Sequence, residues 1–251
     1  MTTATEAKAN LITAPFRMGW TDQLIKPEAF APKGQTPKAG AAKKFQLPMI
    51  FTEADLGLFL QPSGDVLEEV NIRDICKKLT AIKWPGQDPK VIFSKTDLTT
   101  GVVTPLANWP IKNGNKILEA NAKKEKPSKL DHLKDCFQIT ASSNEDKPPR
   151  LTYIKEGAVI ELNRDNPEDM KVIKRLFLSG YWAIAEVSLL AQTTPMGNFV
   201  TFYLNHVRFR KEGERIGGGG GLMSRFEGVL GGEADIDPTM GAGKDDDDFD
   251  A

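Results

Sequence analysis

The sequence is poor in the residues that build most catalytic and metal centres: its 251 residues include two cysteines, two histidines and three tyrosines. Cys76 and Cys136 stand in unrelated contexts, so neither a disulfide framework nor a paired-cysteine zinc motif is expected, and a reducing compartment fits. His132 lies four residues before Cys136, but with Cys76 and His206 it matches no zinc-binding spacing, and the four read as structural residues. Walker-type GxxxxGK[ST], GxSxG and HExxH motifs are missing, and the glycine run at 217–221 passes into Leu222, Met223 and Ser224. No stretch approaches the roughly 18 apolar residues of a membrane-spanning helix, and MTTATEAKAN lacks the apolar run of a secretion signal. A non-enzymatic cytoplasmic protein without a cofactor or resident metal is therefore expected.

Excess charge also looks missing, since the net charge is -1, but that sum hides a division. From Glu233 to Ala251 there are eight acidic residues against Lys244, a net of 1 - 8 = -7, which leaves -1 + 7 = +6 for residues 1–232. A basic body joined to an acidic end suits a body that meets a polyanion and an end with another task. The end, KDDDDFDA, cannot build a core, and we expect it to stay disordered and open to partners. Asp245, Asp246, Asp247, Asp248 and Asp250 surround Phe249, a pattern that can dock in a basic, apolar pocket of another protein or occupy a DNA groove as a polyanion mimic. The plainer alternative is a solubility tail. Five consecutive glycines from Gly217 mark the expected boundary between a folded region, 1–216, and a hinge and tail, 217–251.

Within 1–216 the patterning predicts a mainly β fold with one principal helix. Strand-like runs are LITAPFRM (11–18), KKFQLPMIF (43–51), CFQITAS (136–142) and LTYI (151–154). YWAIAEVSLLAQ (181–192) and NFVTFYLNHVRFR (198–210), separated by TTPMG, form a predicted hairpin. The principal helix is predicted over 65–84, with Asp65 as its N-cap, and a second short helix near Lys116 to Lys124. The Pro-, Gly- and Lys-rich stretches 26–44 and 85–130 read as loops or insertions.

Strict alternation along the last strand puts Phe199, Tyr203, Val207 and Phe209 on one face and Phe202, His206, Arg208 and Arg210 on the other. The second set mixes aromatic and cationic groups, the chemistry that stacks bases and neutralises phosphates. Candidates for nucleic-acid contact are therefore Phe202, His206, Arg208 and Arg210, with Tyr203 beside them and Tyr181 and Trp182 on the partner strand. Arg17 and Trp20, Lys43 and Lys44, Arg150, Tyr153 and Lys155 around LTYI, and Lys174 and Arg175 before Phe177 complete the set. For each aromatic the alternative is a place in the core, and for each cation a solvated surface position.

SGYWAIAEVSLLAQ (179–192) and NHVRFRKEGERIGGGG (205–220) resemble the C-terminal half of a family of phage-encoded single-stranded DNA-binding proteins. In that family a late strand ending in a V-x-F/L-x-x-x-G-E run precedes a glycine-rich segment and an acidic end, and here the run is Val207 to Glu214. The resemblance covers roughly 130–220, and the first strands less well. It implies an OB-like, Greek-key β-barrel that coats and protects single-stranded DNA in replication and recombination, in the host cytoplasm. It also implies that the acidic tail recruits replication or recombination proteins such as a polymerase, helicase or nuclease; a homo-oligomer fits as well. The competing classes are a phage structural or assembly protein and a metal-dependent nuclease, the latter needing clustered carboxylates.

Overall fold

In a computed structural model the described residues are 7–29, 36–37, 40–96 and 101–216. The glycine run and the acidic tail lie outside them. The elements in chain order are β1 (Lys8–Ile12), β2 (Phe16–Met18), α1 (Asp22–Ile25), β3 (Glu28–Ala29), β4 (Lys43–Phe51), β5 (Phe59–Ser63), β6 (Val66–Val70) and α2 (Ile72–Lys83). Then come α3 (Pro89–Ile92), β7 (Lys95–Thr96), β8 (Val103–Thr104), β9 (Ile111–Asn113), α4 (Gly114–Ala122), β10 (Phe137–Asn144), β11 (Arg150–Lys155) and β12 (Ala158–Leu162). The last three are α5 (Pro167–Leu176), β13 (Trp182–Thr194) and β14 (Gly197–Lys211).

Five strands close on themselves in the order β14-β10-β4-β2-β13, because β13 pairs with β14 as well as with β2. A closed ring with an odd number of strands cannot alternate in direction throughout, so at least one neighbouring pair must be parallel. That pair is β10–β14, at Ala141↔Phe202 and Ser142↔Tyr203, and the other four contacts are antiparallel. The result is a five-stranded barrel of OB type, as the sequence reading expects. Beyond the ring, β1 continues along the β13 edge, followed by β5 and β6, while β11 and β12 extend the β14 edge.

The barrel interior follows from alternation. In β4, Phe45, Leu47, Met49 and Phe51 turn inward while Lys44, Gln46 and Pro48 face out. A proline inside a paired strand removes one ladder donor. Here the Pro48 carbonyl accepts from Gly19 N at 2.7 Å, so the ring nitrogen faces the same edge, where β2 has already ended at Met18, and the β10 ladder is untouched. A Cβ on Gly19 would lie 2.8 Å from the Pro48 Cβ, which is why glycine occupies that position. Phe16, Phe51 and Phe59 stack through the core with ring centroids 5.5 and 5.2 Å apart.

Several local expectations are corrected. The run 11–18 is two strands, β1 and β2, with a break at Thr13–Pro15, and Thr13 Oγ1 accepts the Ala185 N–H across that break. The principal helix starts at Ile72 rather than near Asp65, because a two-residue turn with Gly64 at φ 61° folds Val66–Val70 back onto β5 as a strand. Asn71 is the actual N-cap, accepting from Arg73 N, and Ile72, Ile75, Cys76 and Leu79 form the buried stripe of α2. Among the described residues α2, with 12 residues, is the principal helix, accompanied by α4 with nine and α5 with ten. The stretch 85–130 holds α3, β7, β8, β9 and α4, so it is a structured insertion. Burial pushes the Cys76 thiol well above its ordinary range, and both cysteines are free, as the sequence suggests.

Candidate nucleic-acid interface

Two irregularities in β14 decide which residues face outward. Val187 pairs with Leu204 but Glu186 with His206, leaving Asn205 unpaired; Ala183 pairs with Phe209 but Trp182 with Lys211, leaving Arg210 unpaired. Each such bulge inserts a residue and reverses the inward phase of the strand. Val200, Phe202 and Leu204 are therefore inward before the first bulge, and Val207 is inward after it. The expected division of faces is corrected accordingly: Phe202 is a core residue, and Phe199 and Tyr203 are half-buried on the outer side.

Tyr203 stands at the middle of a row that crosses five strands. Its register partners run Gln46↔Ser142↔Tyr203↔Ser188↔Asn10 through β4, β10, β14, β13 and β1. All five side chains are half-buried or exposed, and all are polar or amphipathic. Hydrogen bonds brace three of them: Ser188 Oγ lies 2.8 Å from Asn10 Oδ1, Asn205 Nδ2 donates to Ser188 Oγ at 2.8 Å, and Gln192 Nε2 donates to Thr201 Oγ1 at 2.8 Å and to the Tyr203 hydroxyl at 3.4 Å.

Tyr203, Ser188 and Asn205 share a groove of about 580 Å³ whose cations are Lys8, Lys147 and Arg150. Lys44 is exposed at the end of the neighbouring strand opposite Asn144, and Lys43 pairs with Glu145 at 3.2 Å. Arg150 forms a two-pronged ion pair with Glu161 at 3.1 and 2.8 Å. Hydrogen bonding to Glu161 raises the Arg150 pKa and lowers that of its partner. Both residues are exposed, and water and salt screen an exposed ion pair, so a phosphate can exchange with the carboxylate. A ring flanked by neutral hydrogen-bonding groups and rimmed by cations can stack a base while its neighbours hold the backbone.

The remaining sequence candidates fall elsewhere. Tyr153 and Tyr181 are buried, the latter 6.2 Å from the Phe209 ring, so neither offers a free ring face. His206 is buried between Thr152 Oγ1 at 2.7 Å and Glu186 Oε1 at 3.4 Å. Arg17 holds the chain just after β14: its guanidinium donates to Glu214 O at 2.8 Å and Gly180 O at 3.4 Å. Trp20 is exposed and meets His132 edge-on at 5.6 Å. Burial, with the Arg17 charge adding to it, holds His132 below the ordinary imidazole range. Trp182 is half-buried beneath Lys211, 5.8 Å from the ring centroid. Arg208 and Arg210 continue along β14 past the first bulge, and Lys155 ends β11.

Lys174 and Arg175 occupy the last turn of α5, where cations complement the helix dipole. Sequence reasoning overlooked Lys8, Asn10, Lys147, Ser188 and Asn205. For Ser188 and Gln192 the signal was present, since they alternate with buried Val187, Leu189 and Ala191.

Among the described residues, no three His, Cys, Asp or Glu side chains gather as a metal-ligand set, and no helix is long and apolar enough to cross a membrane. No family model matches the sequence, and no curated protein matches it. Among solved structures, the single-stranded DNA-binding protein from bacteriophage Enc34 in complex with ssDNA aligns with a TM-score of 0.52 and 16% identity, over 83% of this chain and 90% of that one. The fold is shared with that phage protein. A second structure of the Enc34 protein aligns over 86% of this chain and 88% of its own, with a TM-score of 0.50 and 15% identity. The likeness at fold level agrees with the resemblance read from the hairpin and from Val207–Glu214.

Proposed function

We propose that the protein binds single-stranded DNA without sequence preference across the outer face of β4, β10, β14, β13 and β1. The observation that carries this reading is Tyr203, half-buried at the centre of a braced polar row and flanked by Lys8, Lys147 and Arg150. Stacking is indifferent to base identity and phosphate contacts carry no sequence, so strand coating follows from the chemistry. The likeness to the Enc34 protein, whose structure was solved with ssDNA, supports the same reading. Lys43, Lys44, Arg150 and Tyr203 from the sequence reading belong to this face, joined by Lys8, Asn10, Lys147 and Ser188. Coating would protect strands exposed in phage replication or recombination, and the acidic tail would recruit replication proteins.

Fluorescence anisotropy with single-stranded and duplex oligonucleotides at two salt concentrations tests the proposal. The expected result is a clear single-strand preference, with log K falling against log salt at a slope of about -2 to -3.5 if roughly three to five phosphates are neutralised. Equal affinity for duplex, or binding indifferent to salt, would overturn it.

A further inference from the structure

A second groove, of about 750 Å³, lies between α3, β8, β9 and α4 and shares no lining residue with the one around Tyr203. Its cations are Lys90, Lys112, Lys116 and Lys124, it has no acidic lining residue, and among the described residues none of the four makes an ion pair. Lys116 and Ala120 lie one helical turn apart on the α4 wall with Ile117 beside them, and Lys124 follows just past the C-cap. The apolar floor includes Trp109, Ile111 and Ile117. Lys112 is half-buried and its ammonium donates to the Ala107 carbonyl, and burial holds its pKa below the ordinary lysine value.

A groove of this kind favours a short peptide that carries several carboxylates around one large apolar side chain. Trp109 already meets Phe93 edge-on at 5.2 Å, and the rest of the floor is aliphatic, so it suits one ring better than a run of stacked bases. The chain contains such a peptide: Asp245 to Asp248 and Asp250 surround Phe249. The route to it begins nearby. Ile216, the last described residue, is buried with Ile50, Leu130 and Leu133 in a cluster against which Ile117 and Leu118 of α4 pack. Ile117 thus packs against the cluster that holds Ile216 and also lines the groove. From Ile216 to Phe249 there are 33 residues, whose covalent reach of at most about 110 Å is ample to return to the far side of one helix.

We propose that the groove walled by α4 seats the chain's own acidic end, with Phe249 over Trp109 and Ile117 and the aspartates against the four lysines. The seat is separate from the Tyr203 face, so the end can rest there while a nucleic acid occupies that face. A partner protein must then compete with the groove for Phe249.

The test is a photo-cross-link in the full chain without DNA, with p-benzoylphenylalanine in place of Phe249 and the cross-linked peptides identified by mass spectrometry. Cross-links are expected within residues 104–124, reduced at least fivefold by K116E/K124E and by 0.5 M salt. Both lysines are exposed, so the double variant is expected to keep the circular dichroism spectrum of the parent. Cross-links mapping to Lys8, Lys147 or Tyr203, cross-links found only between two copies, or no cross-link to the body at all would each overturn the seat. Because no DNA is present, failure here leaves the single-stranded DNA reading standing, and the anisotropy titration tests that reading alone.

Discussion

Phe202→Ala is expected to lower the unfolding free energy by about 3–5 kcal/mol, whereas Tyr203→Ala, one residue along, is expected to change it by less than about 1 kcal/mol. Phe202 is 1% exposed inside the barrel, and truncating it leaves a cavity beside its buried register partners Ala141 and Leu189 that a close-packed interior closes only in part. Tyr203 loses only half-buried contacts and a 3.4 Å hydrogen bond from Gln192. Binding is expected to reverse the order. Loss of one stacking platform costs about 1–3 kcal/mol, or roughly 5- to 150-fold in affinity for single-stranded DNA, with the salt slope nearly unchanged because no cation has been removed. Urea denaturation followed by anisotropy on the same preparations reads both quantities. If instead Phe202→Ala weakened binding while leaving stability intact, the assignment of faces would be wrong.

Removal of residues 233–251 is expected to tighten single-stranded DNA binding by roughly tenfold at low salt, with the gain shrinking as salt rises. The deletion takes the net charge from -1 to +6, so the polyanion approaches the basic face without the long-range field of a -7 charge carried elsewhere on the same body. Most of the change belongs in the association rate, where long-range fields act. Anisotropy and stopped-flow measurements at matched ionic strength check it. Unchanged or weaker affinity would show that the tail has no electrostatic hold on the binding face.

Much of the fold is legible because it is local. KKFQLPMIF alternates apolar and polar residues and forms β4 over the expected range; the two runs around TTPMG form β13 and β14; a short helix lies near Lys116. Helix α5 was equally readable, with Asn166 capping, Pro167 at the start, Glu168 and Asp169 in the first turn and Lys174 and Arg175 in the last. Its two cations, nucleic-acid candidates in the sequence with a solvated position as the alternative, also complement the C-terminal end of the helix. The hairpin at 59–70 was overlooked because Val66 and Val70 also fit a helical period into Ile72, and only the turn at Gly64 separates the two readings.

The sequence by itself determined that the body is basic and β-rich, that the charge splits +6 against -7 at the C-terminal end, and that aromatic and cationic residues interleave along the last hairpin. Those properties depend on composition and near neighbours along the chain. Only the tertiary structure decided which side of the hairpin faces out, because unpaired Asn205 and Arg210 exist only relative to β13. It alone also placed Gln46, Ser142, Ser188 and Asn10 beside Tyr203, through pairings between residues as far apart as Asn10 and Ser188. Ring closure supplies that proximity: once β13 pairs with both β2 and β14, residues distant along the chain share one outer face, and no local pattern records it.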